Sequence, residues 1–427
     1  MRTCRAAVHR AAALASLAGA LLGANCGAPG SIRGPAQIAL QLGPGETLRG
    51  ATGDGSCIAV VRSTASNSVL ELRRATTRSA QRPPGEWHID LPGIAGPIAL
   101  TPTAVVVALS GQKTWAVPPG KSLEIRGEPG AALVAVDVRT GQPTWRLGFD
   151  ATEWALISSL AWGGSDLIVV GAFSGTLRVG PTVVSSAGKS DGFIAKLHPG
   201  GALVWLRRLG GPDDDSVSAV AAGSGSVAIA GTAGADAELG GVPIASPNGP
   251  RSSSGFVAVV DAAGAPAWSH SFGGRYETTV AGVAIDSGLR VAVGATIRSS
   301  VRIGTRDIAT NRPSAGLVLQ FSPAGQLGPA TVIESSATVA LRSLVAVGDR
   351  VIVGGAFTGT LANKRPSLTA SADGGVFLAG VDRTGAISSP WNLASSGRQE
   401  LVSLVSVSGG FLAGVSQPKS ALLISER

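Results

Sequence analysis

The side chains of this chain best suited to chemistry are a run of three carboxylates, Asp213-Asp214-Asp215, four histidines and three cysteines. A hard cation such as Ca²⁺ is held by several oxygens converging from alternate loop positions. Three consecutive aspartates project in different directions, so this run, after Gly210-Gly211-Pro212, is expected to be a solvated loop rather than a metal site. The related segment Gly273-Gly274-Arg275-Tyr276-Glu277 does not repeat the run. His9, His88, His198 and His270 are not spaced as metal ligands, and none stands in a recognisable nucleophile–base pair; surface or edge positions are expected for them. Gly223-Ser-Gly-Ser-Val-Ala228 imitates a dinucleotide fingerprint, but that motif must open a helix and none follows, so a turn is expected. No Gly-x-Ser-x-Gly elbow sits in a strand-to-helix setting. We therefore expect no catalytic residue, no cofactor and no metal site.

The cysteines belong to the question of location. Arg2, Arg5 and Arg10 precede an apolar run, Ala11 to Leu22, that is too short to span a bilayer as a helix. Residues 1–25 read as an export signal and 26–35 as a flexible tether. Leu22-Gly-Ala-Asn-Cys26 resembles a bacterial lipoprotein signal, which implies acylation of Cys26 and attachment to a membrane; Asn25 stands where that pattern has a small residue, and ordinary cleavage near Ala24 or Ala28 is the other route. Cys57 is expected to be a buried apolar residue on a strand, with a Cys26–Cys57 bridge open if Cys26 is not acylated. The formal charge of +8 includes three arginines of the signal, and the remaining basic residues are scattered. With aromatic residues at 4%, a basic stripe interleaved with exposed aromatics is missing from the sequence, so no nucleic-acid partner is expected.

The elements that position these residues are set by a repeat. Trp87, Trp145, Trp205, Trp268 and Trp391 are separated by 58, 60, 63 and 123 residues, the last gap being two periods. Twelve residues before Trp145, Trp205 and Trp268 stand Leu133, Phe193 and Phe256, and Gly171, Gly231, Gly294 and Gly355 recur in the same phase. A unit of about 60 residues that cannot bury its own faces must stack on copies of itself. Runs such as Leu167-Ile-Val-Val170 are apolar at successive positions, which fits short strands covered on both faces. Pro199-Gly200-Gly201, Ala263-Gly264 and Thr384-Gly385 are expected to be hairpin turns with glycine at positive φ. Four-stranded units are expected at roughly 47–92, 95–149, 154–211, 216–274, 279–335 and 339–396. A seventh begins at Leu401 and lacks its fourth strand, which Gln37-Ile-Ala-Leu-Gln-Leu-Gly43 would supply. The expected fold is all-β, a seven-bladed propeller over residues 36–427 closed by that N-terminal strand.

Asp191-Gly-Phe-Ile-Ala-Lys-Leu-His-Pro-Gly-Gly-Ala-Leu-Val-Trp205, followed by Leu209-Gly-Gly211 and Asp213-Asp214, resembles the SBBP-type β-propeller repeat of bacterial secreted and envelope proteins. Ala135-Val-Asp-Val-Arg-Thr-Gly-Gln-Pro-Thr-Trp145 is similar to the repeat of pyrroloquinoline-quinone-type propellers, which implies a tryptophan wedged between neighbouring blades. Enzymes of that group carry adjacent cysteines and a Glu/Asn/Asp calcium constellation; this chain has no adjacent cysteines, so the resemblance carries the scaffold and no catalytic residue. The expected function is a non-enzymatic, exported, monomeric envelope lipoprotein that binds a protein or glycan through loops on one ring face. The segments Thr114 to Glu128, Gly240 to Ser254 and Ala362 to Asp373 are the expected loops. The alternative is a periplasmic or extracellular enzyme, quinone-dependent or glycan-active, with its site at the central channel.

Overall fold

Short apolar runs punctuated by glycine pair locally with their neighbours, and the computed structural model shows antiparallel ladders built from consecutive strands. It describes residues 36–426 except 43–45, 55–56, 65–66, 75–85, 112–113, 118–120, 125–129, 224, 245–253, 362–366, 389–390, 393–398, 408–409 and 418–419. The segments expected to be an export signal and a tether, with Cys26, lie outside the described residues.

After β1 (Ala36–Gln41), the first ladder is β2 (Thr47–Gly53), β3 (Cys57–Ser63), β4 (Asn67–Arg74) and β5 (Trp87–Pro92). The second is β6 (Ile94–Leu100) and β7 (Ala104–Gly111), then, beyond the small hairpin β8 (Thr114–Val117) and β9 (Lys121–Glu124), β10 (Gly130–Asp137) and β11 (Pro143–Ala151). The third is β12 (Trp154–Trp162), β13 (Leu167–Val179), β14 (Thr182–Leu197) and β15 (Leu203–Gly210). The fourth runs β16 (Ser216–Gly223), β17 (Ser226–Ala233), the hairpin β18 (Glu238–Leu239) and β19 (Val242–Pro243), β20 (Ser254–Val260) and β21 (Pro266–Gly274). The fifth runs β22 (Thr279–Ile285), β23 (Val291–Ile297), the hairpin β24 (Val301–Ile303) and β25 (Arg306–Ile308), β26 (Ala315–Phe321) and β27 (Leu327–Ile333). The sixth runs β28 (Val339–Val347), β29 (Arg350–Phe357), the hairpin β30 (Thr360–Leu361) and β31 (Leu368–Thr369), β32 (Gly375–Val381) and β33 (Trp391–Asn392). Last come β34 (Glu400–Val407), β35 (Gly410–Gln417) and β36 (Ser420–Glu426), whose outer edge is taken by β1 with Gln37 opposite Ile424 and Leu40 opposite Ala421.

First strands pack on first strands: β2 on β6, β6 on β12, β12 on β16, β16 on β22, β22 on β28, β28 on β34 and β34 on β2. Each ladder is apolar on both faces, so the core is distributed between ladders rather than gathered in one place. Leu70 and Val61 meet Val105 and Val107 in one layer. Phe149 and Phe193 share another, with ring centroids 5.4 Å apart. Leu40, Leu48 and Val60 of the N-terminal strands meet Leu412 and Leu423 of the C-terminal ones.

Three of the four recurrent second-strand glycines have one packing cause, while Gly294 instead faces Leu344. A Cβ at Gly171, Gly231 or Gly355 would stand 1.9, 2.0 or 2.2 Å from the carbonyl oxygen of Leu156, Ser216 or Ala340 on the adjacent first strand. No side chain fits there.

Candidate functional site

The tryptophans of the repeat are structural. The indole Nε1–H groups of Trp87, Trp145, Trp205 and Trp268 donate to the carbonyl oxygens of Val138, Pro199, Ala262 and Pro323, at 3.0, 2.8, 3.1 and 3.1 Å. Each acceptor belongs to the turn between the third and fourth strands of the next ladder. The turn glycine lies against the ring: a Cβ at Gly141, Gly201, Gly264 or Gly325 would come within 2.8, 2.6, 3.2 or 2.7 Å of the indole, and all four have positive φ. Only glycine meets both demands. In β27, where the repeat has Gly328-Pro329 instead of tryptophan, Pro329 contacts the corresponding turn at Gly385 and the Thr331 hydroxyl donates to the Gly385 carbonyl at 2.9 Å.

Two features could serve a ligand. The first is a central channel of about 1110 Å³, walled by β2, β6, β12, β16, β22, β28 and β34. Gly, Ala, Ser, Val and Leu make most of the wall; the charged side chains on it are Arg49, Asp54, Asp286 and Arg342. Asp286 is already held by Arg290, through Nε at 2.8 Å and through Nη2. Burial acts to raise its pKa, but the guanidinium keeps it below the usual carboxylate range.

The second is the end of the ladders at which second strands run into third strands and fourth strands run on to the next ladder. Here hairpins extend beyond the ladders and pair with the fourth strand of the preceding one: the end of β13 with β11 (Phe149 opposite Val179), β18 with β15, and β24 with β21. Of the expected irregular loops, Thr114 to Glu128 carries the separate hairpin β8–β9, and β19 and β31 within the other two pair with β18 and β30; 118–120, 125–129, 245–253 and 362–366 of those segments lie outside the described residues. This same end carries Ile94, Leu156, Val183, Val242 and Tyr276, five of the six large apolar residues exposed among the described ones.

Asp215 corrects the expectation of a solvated carboxylate run. It is 1% exposed, and its two carboxylate oxygens accept the backbone N–H groups of Gly234 and Gly211, both at 2.7 Å. Burial pushes its pKa up to about 6 against the pull of those two donors, and Asp191 and Asp213 add repulsion. Asp191 is also buried, its Oδ2 accepting the Ala187 N–H at 3.0 Å and an Arg208 N–H at 2.8 Å. Asp214 accepts the Ser190 hydroxyl at 2.8 Å, and Asp213 and Asp214 stand near Lys189. The run therefore fastens the junction of the third and fourth ladders.

His88 and His198 are exposed. Ser165 Oγ and His198 Nδ1 both bond the carboxylate of Asp166, at 2.8 and 3.2 Å, with Lys196 Nζ at 3.1 Å. The serine thus faces the acid and not the imidazole, which is not a nucleophile relay. Burial would raise the Asp166 pKa, but these donors hold it below its ordinary value. His270 departs from the expected edge position: it is half-buried, stacks on Phe321 at 5.2 Å and bonds the Gly325 carbonyl of the next ladder at 2.7 Å. Gly223 and Ser226 close a hairpin with Gly225 at positive φ, so that segment is a turn. Cys57 is buried at the head of β3.

No family model matches the chain, and no curated protein matches it in sequence. Solved structures do match. The β-propeller domain of the Trilobed protease from Pyrococcus furiosus aligns at a TM-score of 0.50 and 8% identity, over 90% of this chain and 95% of that one. The WD40 propeller domain of Doa1 aligns at 0.44 and 11%, over 92% and 98%. The europium-containing methanol dehydrogenase aligns at 0.40 and 9%, over 92% and 93%. With the ladder order above, the first of these likenesses makes the fold a β-propeller. Nothing closer than the fold is carried by identities this low.

Proposed function

We propose that the chain is a seven-bladed propeller of SBBP-type repeats, closed by β1 in its last blade, and that it works as a non-enzymatic binding or scaffold module of the cell envelope. Its ligand is a protein or a glycan. Supporting the blade count are the successive first-strand contacts and the pairing of β1 with β36. The observation that carries the functional reading is the concentration of exposed Ile94, Leu156, Val183, Val242 and Tyr276 at the hairpin end, since apolar groups left in water together on one face mark an interaction surface. The hairpins there are fastened to neighbouring blades, so the surface is rigid and costs little ordering on binding.

The competing reading, an enzyme with its site at the channel, asks for carboxylates converging there. The wall carboxylates are Asp54 and Asp286, and Asp286 is committed to Arg290. In keeping with the export signal, the chain is proposed to sit at a membrane through lipid on Cys26.

The test is affinity capture from envelope fractions with wild-type protein, V242D and Y276A on the hairpin face, and Val204→Ser as an exposed apolar control on the fourth strand β15, near its opposite end. Partners retained by wild type and Val204→Ser and lost by V242D and Y276A support the reading. Identical captures from all four refute it.

A further inference from the structure

Each strand of the channel wall carries a one-residue β-bulge near its start, after two to four pairs of its ladder. A bulge takes one residue out of the ladder and re-aims its side chain. Set side by side, the bulges form one level of the channel. The extra residue is arginine in β2 and β28, Arg49 and Arg342, and serine in β12 and β16, Ser158 and Ser218; it is apolar in the others. All four of these side chains line the channel.

Arg49 and Arg342 stand on the two strands that flank β34. Both are exposed, and neither has a hydrogen-bond or ion-pair partner among the described residues. The other basic groups near carboxylates are taken, as Arg290 is by Asp286 and Arg208 by Asp191. The acids of the wall are remote from this level. Asp54 lies five residues beyond Arg49, and Asp286 five beyond the bulge at Ala281, so at ~3.3 Å per residue each is about 15 Å further along the channel. Two unpaired guanidinium groups at one level of a walled cavity, with hydroxyls across from them and the acids at the far mouth, make a locally positive site.

We propose that the bulge level is an oxyanion site, in which Arg49 and Arg342 receive the carboxylate or phosphate groups of a small anionic ligand inside the channel. A volume of about 1110 Å³ accommodates a small organic or inorganic polyanion. Guanidinium binds both kinds of oxyanion through paired N–H donors. The site is distinct from the hairpin face, so either reading stands if the other fails.

The test is calorimetric titration of the purified protein at low salt with inorganic pyrophosphate and, separately, with citrate, in wild type, R49Q, R342Q, the double variant and R139Q, a control on an exposed turn. Expected is saturable binding of at least one probe, weakened by added salt and by roughly tenfold in each single variant, abolished in the double variant and unchanged in R139Q. Binding of citrate or of pyrophosphate identifies the carboxylate or the phosphate as the recognised group. Because both arginines are exposed and unpaired, the variants should unfold no earlier than wild type; should either do so, R49K and R342K, which keep the charge, are expected to recover part of the binding. No saturable binding of either probe, binding that survives in the double variant, or an equal loss in R139Q overturns the proposal.

Discussion

Gly201→Ala isolates the contact that holds one blade to the next. Gly201 has φ of +86°, and the added Cβ would come within 2.6 Å of the Trp145 ring. Two costs are expected: about 1–2 kcal/mol for an L-residue in the left-handed region, and about 1–3 kcal/mol for pushing a packed indole out of place. Gly180→Ala supplies the first without the second, because Gly180 has φ of +57° and nothing within 4 Å of the new methyl. Gly200→Ala supplies neither, its backbone lying outside the positive-φ set and its surroundings open. Urea unfolding followed by far-UV circular dichroism should therefore rank the variants Gly200→Ala, Gly180→Ala, Gly201→Ala in rising destabilisation. In a Trp145→Ala background the excess of Gly201→Ala over Gly180→Ala should vanish, since the atoms it collides with are gone. If Gly201→Ala costs no more than Gly180→Ala, or keeps its full excess without the indole, the docking of tryptophan on the turn glycine is not what couples the blades.

Asp215 gives a pH signature. Its carboxyl, raised to about 6 in the folded protein from the ordinary 3.8, favours folding while protonated, so its contribution is complete below the unfolded pKa and is lost as pH rises through 6, by roughly 3 kcal/mol. Unfolding free energies measured from pH 4 to 7.5 should fall over that window in wild type and be flatter in Asp215→Asn; parallel slopes would contradict it. Leu40→Ala empties a fully buried site shared by the first and last strands and should cost about 2–5 kcal/mol by urea titration, whereas an effect near zero would deny that β1 is part of the core. Intact-mass analysis of membrane-extracted protein should show acyl chains on Cys26, and Cys26→Ser should release the protein from the membrane fraction; an unmodified mass starting at another residue would point to conventional cleavage.

The spacing of Trp145, Trp205 and Trp268, the turn glycines that meet them and the second-strand glycines Gly171, Gly231 and Gly355 were legible because each is fixed by a local demand: one indole, one turn, one carbonyl that admits no Cβ. The hairpins were missed although their signal is present. Val179-Gly-Pro-Thr182, Leu239-Gly-Gly-Val242 and Ile303-Gly-Thr-Arg306 are two-residue turns between paired residues, but what makes them structural is pairing with the preceding ladder, which no local window contains. Asp215 looked like its solvated neighbours because its partners, Gly211 and Gly234, are backbone groups without a side-chain signature. The bulge level was invisible for a related reason. The extra residue can be Arg, Ser, Ala or Val, so its position is written in the register and not in the residue type.

The pairing of Ala36 to Gln41 with Ser420 to Glu426 has a consequence for biogenesis. Of the described strands β1 is made first and its mate β36 last, so β1 must stay single while the ladders between them emerge, each of which can zip up with sequence neighbours as it appears. Pairing of β1 should then await one slow long-range annealing event, and a holdase that shields Gln37-Ile-Ala-Leu-Gln41 during that wait would act on yield rather than on the folded molecule.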